Sequence, residues 1–393
     1  MKIIHRTYRF AIEPTRGQIV LLDKHFGCVR FVYNHFLNER KEQYREVKRS
    51  DGYHKQCASL TNLKKQEDKT WLGEINSQSL QFAIRCLDTA YVNFFKGQTQ
   101  FPRFKSKRSK NSFTVPQFAT LEDGRLHIPK FKQGIKVNVH REIKGKVGKC
   151  TITRMASGKY FASIHVEEKC EPLAKTGAVV GVDLGLKDLL VTSDGRKFKN
   201  GRYTRAYAKK LAMAQRHMAR KKKGSKSRER QARKVALIHE RLSNSRRDVL
   251  HKTSIALVRD YDVICLEDLN VKGMVKNRKL SKAISDASWG EFIRMLEYKA
   301  AWNDKLVVKV GRFFPSSRTC NECGWINQDL ELSDREWVCA NGHTLNRDLN
   351  AAKNILQEGM NQISAGTVDH TDGDGVRPRK RQSSEKSGVL SSI

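Results

Sequence analysis

Acidic residues are scarce in this chain. Its 393 residues hold 41 Asp and Glu against 76 Lys and Arg, a formal charge of +35 that internal ion pairing cannot balance. Such a surface seeks a polyanion. Nucleic acid is the default, because every phosphate neutralised by Lys or Arg releases condensed counterions, and an anionic membrane is the competing partner. Long apolar runs are also missing: none approaches the roughly 20 residues that a bilayer span needs. The N-terminal stretch MKIIHRTYRFAIEP has neither the apolar core nor the small-residue cleavage site of a signal peptide. These absences predict a soluble, intracellular protein. A disulfide framework is absent too. Of nine cysteines, Cys28, Cys57, Cys86, Cys150, Cys170 and Cys265 are scattered and read as reduced, packed thiols, whereas Cys320, Cys323 and Cys339 cluster.

A hydrophobic fraction of 38% is enough to build the cores of two or three domains. Tyr8, Phe10 and Ile12 alternate as in a strand, and beyond Pro14 helical spacing runs through Leu22, Phe26 and Val29. Residues 16–97 read as a helical lobe. From about 98 to 175 the chain is basic and turn-rich, and short alternating runs suggest a small β-barrel. If the first strand belongs to that barrel, the helical lobe is inserted into it. VVGVDLGLKDLLVTSDG and YDVICLEDLN read as buried strands, LVVKVGRFF as a third, with helices over 203–222, 226–260 and around SWGEFIRMLEYKAAWNDK. Residues 202–247 carry 17 Lys or Arg against two Glu. Solvated helices usually mix signs, so this pair reads better as a phosphate-tracking surface than as a merely hydrated face. From 361 to 393 the composition predicts a disordered tail.

Three carboxylates stand where chemistry is possible. Asp183 interrupts an apolar strand, Glu267 ends a later one, and Asp348 opens the helix of NRDLNAAKNIL. A buried charge without a partner is costly, so an acid at such a place is paired, at a strand's exposed end, or holding a metal. Each also has an ordinary reading: a turn cap for Asp183, a lysine partner for Glu267, a helix N-cap for Asp348. Asp188, Asp262, Asp268 and Asp286 are weaker candidates.

GVDLGLKDLLVTSDG, CLEDLNVKGM, DASWGEFIRMLEYKAAW, SSRTCNECG and RDLNAAKNIL, in that order and spacing, resemble TnpB, the transposon-encoded RNA-guided DNA endonuclease family ancestral to type V CRISPR effectors. The resemblance runs from residue 1 to about 358. It implies an α+β multidomain chain: a wedge β-barrel (1–15 and 98–175) with an inserted helical recognition lobe (16–97), then a split RNase H-like RuvC nuclease (176–314 and 345–360) with a zinc-finger insertion (315–344). It places Asp183, Glu267 and Asp348 on the catalytic acids, which would hold two Mg²⁺ ions roughly 4 Å apart across a scissile phosphodiester. It implies a protein that works as a monomer bound to a guide RNA from the transposon's right end and that cuts double-stranded target DNA beside a short transposon-adjacent motif. Tyr33, Asn34, Gln78, Gln81 and Thr114 are candidate motif readers, having side chains able to hydrogen-bond base edges.

CNECGW supplies a C-x2-C pair, and WVCANGHTLNRD follows. Relatives carry a second C-x2-C, but Gly342 stands where its last cysteine would be. His343 is the natural fourth ligand, giving Cys320, Cys323, Cys339 and His343 as a Cys3His zinc set; the alternative is a degenerate finger without metal. Asn346 stands where many relatives have an acid. Other functions stay open: a nuclease-dead RNA-guided DNA-binding protein, a strand-transferring transposase, or a compact type V CRISPR effector.

Overall fold

The computed structural model describes residues 1–107, 110–331 and 333–366. It divides into two compact units, one of residues 1–172 and 203–245, the other of 173–202 and 246 onward.

In the first unit, β1 (Lys2–Glu13) is followed by three helices: α1 (Arg16–Val47), α2 (Tyr53–Leu63) and α3 (Ser77–Phe95). Six further strands come next: β2 (Asn111–Val115), β3 (Thr120–Glu122), β4 (Arg125–His127), β5 (Ile135–Asn138), β6 (Lys146–Arg154) and β7 (Tyr160–Cys170). All seven strands form one antiparallel sheet in the order β2-β6-β7-β1-β5-β4-β3, so the first strand lies at its centre and the helices are inserted in sequence between it and its partners. Helix α1 starts where it does because Thr15 and Gln18 close a capping box, each side chain accepting from the other's backbone N–H. Phe10, Ile12, Leu22, Phe36, Leu80, Leu87, Phe113 and Ile164 share one core that joins sheet and helices.

The second unit is built on β8 (Val179–Leu184), β9 (Asp188–Thr192) and β10 (Lys197–Lys199). The chain then leaves through α4 (Tyr203–Ala219) and α5 (Lys226–Asp260) and returns as β11 (Val263–Glu267). Residues Tyr203–Ser245, expected beside this sheet, group with the first unit instead, where Glu240 of α5 pairs with Lys159 at 2.8 Å. There follow α6 (Val271–Met274), α7 (Ser281–Ala287), α8 (Trp289–Trp302) and β12 (Leu306–Val310), then a small hairpin, β13 (Glu336–Val338) with β14 (Thr344–Asn346), and α9 (Arg347–Ser364).

The five-stranded sheet runs β10-β9-β8-β11-β12, with β8, β11 and β12 parallel and β9 antiparallel between β8 and β10. In chain order that is 3-2-1-4-5, the RNase H arrangement the sequence led us to expect. Val180, Val182, Ile264 and Leu266 are buried, which is why these strands read as continuous apolar runs. Helix α9 continues through Ser364, so the expected tail does not begin at 361. Residues 367–393, the rest of that expectation, lie outside the described residues.

Candidate nuclease site and metal knuckle

Register puts two of the acids side by side. Leu266 of β11 pairs with Val182 of β8, so the next residue on each parallel strand, Glu267 and Asp183, stands at the same end of the sheet. Helix α9 packs across these strands at a place with no room for a side chain. A Cβ on Gly181 would lie 2.0 Å from the Ala352 carbonyl oxygen, and one on Gly359 would lie 2.3 Å from Cys265 Sγ. The close approach lays the first turn of α9, with Asp348, toward the acids of β8 and β11.

All three carboxylates are half-buried. Withdrawal from water, then the negative charges of Glu267 and Asp348, push the Asp183 carboxyl up to about 7, against a smaller opposing pull from Arg347 and Arg335. Glu267 accepts a hydrogen bond from the Ser316 hydroxyl. Asp348 lies 3.4 Å from an Arg335 guanidinium nitrogen. It is not the N-cap of its helix: Asn346 is, its side chain accepting from the Leu349 N–H at 3.2 Å. Asn346 serves the start of α9 well, because Asn is among the preferred N-cap residues. The weaker candidates Asp262, Asp268 and Asp286 are held in ion pairs with Lys305, Arg312 and Arg246.

The cysteine cluster forms a compact metal knuckle. Cys320, Cys323, Cys339 and His343 present ligand atoms all within 4.8 Å of one another, a set that could hold zinc. Among the described residues no other group of three or more Cys, His, Asp or Glu side chains is so close, and the three acids are spaced more loosely. Cys339 Sγ lies 3.2 Å from His343 Nδ1 and 3.7 Å from Cys323 Sγ. The Trp325 backbone N–H is the main influence holding the Cys323 thiol down to about 6, close to the thiolate a metal requires. Both Gly324 and Gly342 have positive φ, 76° and 82°, so the turns that return the ligands use the one residue free to adopt them. Leu330, Trp337 and Leu345 make a small apolar cluster with Cys320 and Cys339.

The candidate motif readers all lie in the first unit. Tyr33 is buried, with Lys105 Nζ 3.8 Å from its ring centroid. The Asn34 carboxamide makes two 2.8 Å bonds to the backbone of Lys105, and Thr114 bonds Thr151 at 2.9 Å. Gln81 is exposed on α3, and Gln78 donates to Gln117 while its Oε1 has no partner among the described residues. Sequence reasoning missed Ser316, Gly181 and the asparagines of α9, whose roles depend on neighbours remote in the chain.

Comparison with known proteins agrees with this architecture. Residues 162–278 match a family model described as "Probable transposase", residues 289–355 one described as "Cas12f1-like, TNB domain", and residues 1–49 a "Helix-turn-helix domain". A Streptomyces pristinaespiralis protein named "Putative RNA-guided DNA endonuclease" is 38% identical over 98% of this chain and 94% of its own length. An Escherichia coli K12 protein named "Putative RNA-guided DNA endonuclease InsQ" is 31% identical over 97% and 98%. A solved Cas12f1–sgRNA–target DNA complex shares the fold with a TM-score of 0.55 at 11% identity, covering 90% of this chain and 98% of its counterpart. Kinship of this extent with relatives so named makes the chain a member of the TnpB family of transposon-encoded RNA-guided DNA endonucleases.

Proposed function

We propose that the chain is a guide-directed DNA endonuclease that hydrolyses phosphodiesters between Asp183, Glu267 and Asp348. The observation that carries this reading is convergence: sheet register sets Glu267 beside Asp183, and the seat of α9 on Gly181 brings Asp348 near enough that both charges raise the Asp183 carboxyl, although the three come from distant parts of the chain. Such a cluster suits hard divalent cations, since Mg²⁺ prefers carboxylate oxygens and keeps several waters. Bound there, Mg²⁺ would activate water and stabilise the leaving oxygen of the scissile bond. The carboxylates of Asp183, Glu267 and Asp348 would hold it, and charge neutralisation would favour the ionised form of Asp183 and draw the loosely spaced acids together. Arg335 and Arg347 add positive potential for an incoming phosphate.

Guide RNA from the transposon's right end would supply sequence recognition by pairing, leaving the protein to read duplex shape and a short adjacent motif. The sheet of residues 1–15 and 98–175 and the helical lobe of 16–97 would grip the RNA and the motif. Gln81 is the motif reader with a side chain open to a base edge, since Gln78 Oε1 is buried and its amide, like Asn34 and Thr114, already bonds within the protein. The knuckle at 315–344 would brace the cleft with one zinc ion.

Sequencing the RNA that copurifies with the full-length protein, then presenting a matching plasmid with Mg²⁺, tests the reading. Linear product that depends on both RNA and metal is expected. Bound but uncut target would instead mark a guided binding protein, joined DNA a transposase, and a guide encoded in a repeat array a CRISPR effector.

A further inference from the structure

Ser316 belongs to the turn that follows β12 and leads into the knuckle, and it is only 3% exposed. Its N–H donates to the Phe314 carbonyl at 2.8 Å, fixing a tight bend after Pro315. Its hydroxyl donates to Glu267 Oε1, which leaves the other carboxylate oxygen available to a ligand. Bonds of a hydroxyl to an ionised carboxylate are short and directional. Glu has three rotatable side-chain bonds, so a single fixed donor selects among many rotamers.

The same turn is tied to α9. Asn350 and Asn354, one helical turn apart and 2% and 7% exposed, both aim their amides at it. Asn354 Nδ2 donates to the Ser316 and Thr319 carbonyls at 2.8 and 2.6 Å, and Asn350 Nδ2 donates to Thr319 O at 2.7 Å. Asn350 Oδ1 accepts from the Asn321 N–H at 2.9 Å. Burying two carboxamides is tolerated because these backbone groups answer them. The helix that carries Asp348 therefore sets the position of the turn whose hydroxyl holds Glu267, and the next residue after Thr319 is the knuckle's first cysteine.

We propose that Ser316 is a positioning residue that holds Glu267 in its metal-binding rotamer, with Asn350 and Asn354 locking the turn that presents it. The inference rests on the proposed reading of the three acids. Removing a group that orients a metal ligand typically weakens metal binding by about 10-fold or more. The test is Mn²⁺ affinity, measured by electron paramagnetic resonance on the full-length, zinc-loaded protein with its copurified RNA. Ser316→Ala should weaken Mn²⁺ binding by about 10-fold and raise the metal concentration needed for half-maximal cleavage by a similar factor. On a Glu267→Gln background the same change should have no further effect, because the partner it orients has lost its charge. Wild-type affinity in Ser316→Ala overturns the proposal, and so does an equal loss on the Glu267→Gln background, which is what general misfolding would produce. The two readings fail separately. A Glu267→Ala protein that cuts normally sinks the site itself, whereas an inactive Glu267→Ala beside an unaffected Ser316→Ala sinks only the positioning role.

Discussion

Asp183 is the side chain whose loss should be felt most sharply. Truncation to Ala removes a repelled carboxylate, so the fold should be unharmed or slightly firmer while cutting disappears and RNA and target binding persist. Persistent cutting by a clean Asp183→Ala preparation would falsify the assignment of the acids. Lys299 offers a different kind of test. Its ammonium is tucked against the His251 carbonyl and the Ser254 hydroxyl, and burial pulls its pKa down to about 8. Below pH 8 it is charged in both folded and unfolded chains. Between about 8 and 10 the unfolded chain keeps a proton that the folded one has shed, so stability rises with pH across that window. Lys299→Met should flatten the rise; thermal unfolding curves that stay parallel for the two proteins from pH 8 to 10 would show that Lys299 is not its source. Asp183 was conspicuous in the sequence because a charge breaks an apolar run. Lys299 was not, since a lysine on an amphipathic helix normally reaches water.

At the scale of elements, α9 depends on the absence of side chains beneath it. Gly181→Ala would force a methyl into the Ala352 carbonyl and the Leu356 N–H, backbone groups that cannot rotate away. The expected cost is about 1–3 kcal/mol of overpacking, together with displacement of Asp348 and loss of cutting; denaturant unfolding and a plasmid assay on this variant would both have to match wild type for the close seat to be dispensable. Three strands of this sheet, β8, β11 and β12, were legible from their apolar runs, and α1 from its spacing after Pro14, whereas β9 and β10 were not told apart from the first run. The seat of α9 was not legible, because a glycine in a strand looks alike whether it faces a void or a helix backbone. The knuckle was legible in its ligands, and elemental analysis should find about one zinc per chain, as expected for a Cys3His site. A folded protein with no zinc would leave the cluster as a vestige. What spacing did not reveal was the link from the knuckle's first cysteine through Thr319 and Ser316 to Glu267, since it passes through backbone carbonyls.

For the whole molecule, charge is the governing property. With +35 to neutralise, RNA binding should fall steeply with salt, by about 10³- to 10⁵-fold between 50 and 200 mM if 6 to 10 phosphates are engaged. A filter-binding series across that range should give a straight line in log affinity against log salt; a flat response would mean that the cationic surface does not hold the guide. Composition alone pointed to a polyanion, but the grouping of residues 203–245 with the first unit was hidden, because a one-signed helix gives no hint of which core it leans on.

The lateness of α9 carries one more consequence. Ribosomes make β8 and β11 long before the helix that lies over Gly181, and on the proposed reading a nascent or prematurely terminated polypeptide holds two of its acids without the third. A chain interrupted upstream of Asp348 would therefore lack the complete acid set on which the proposed cleavage depends.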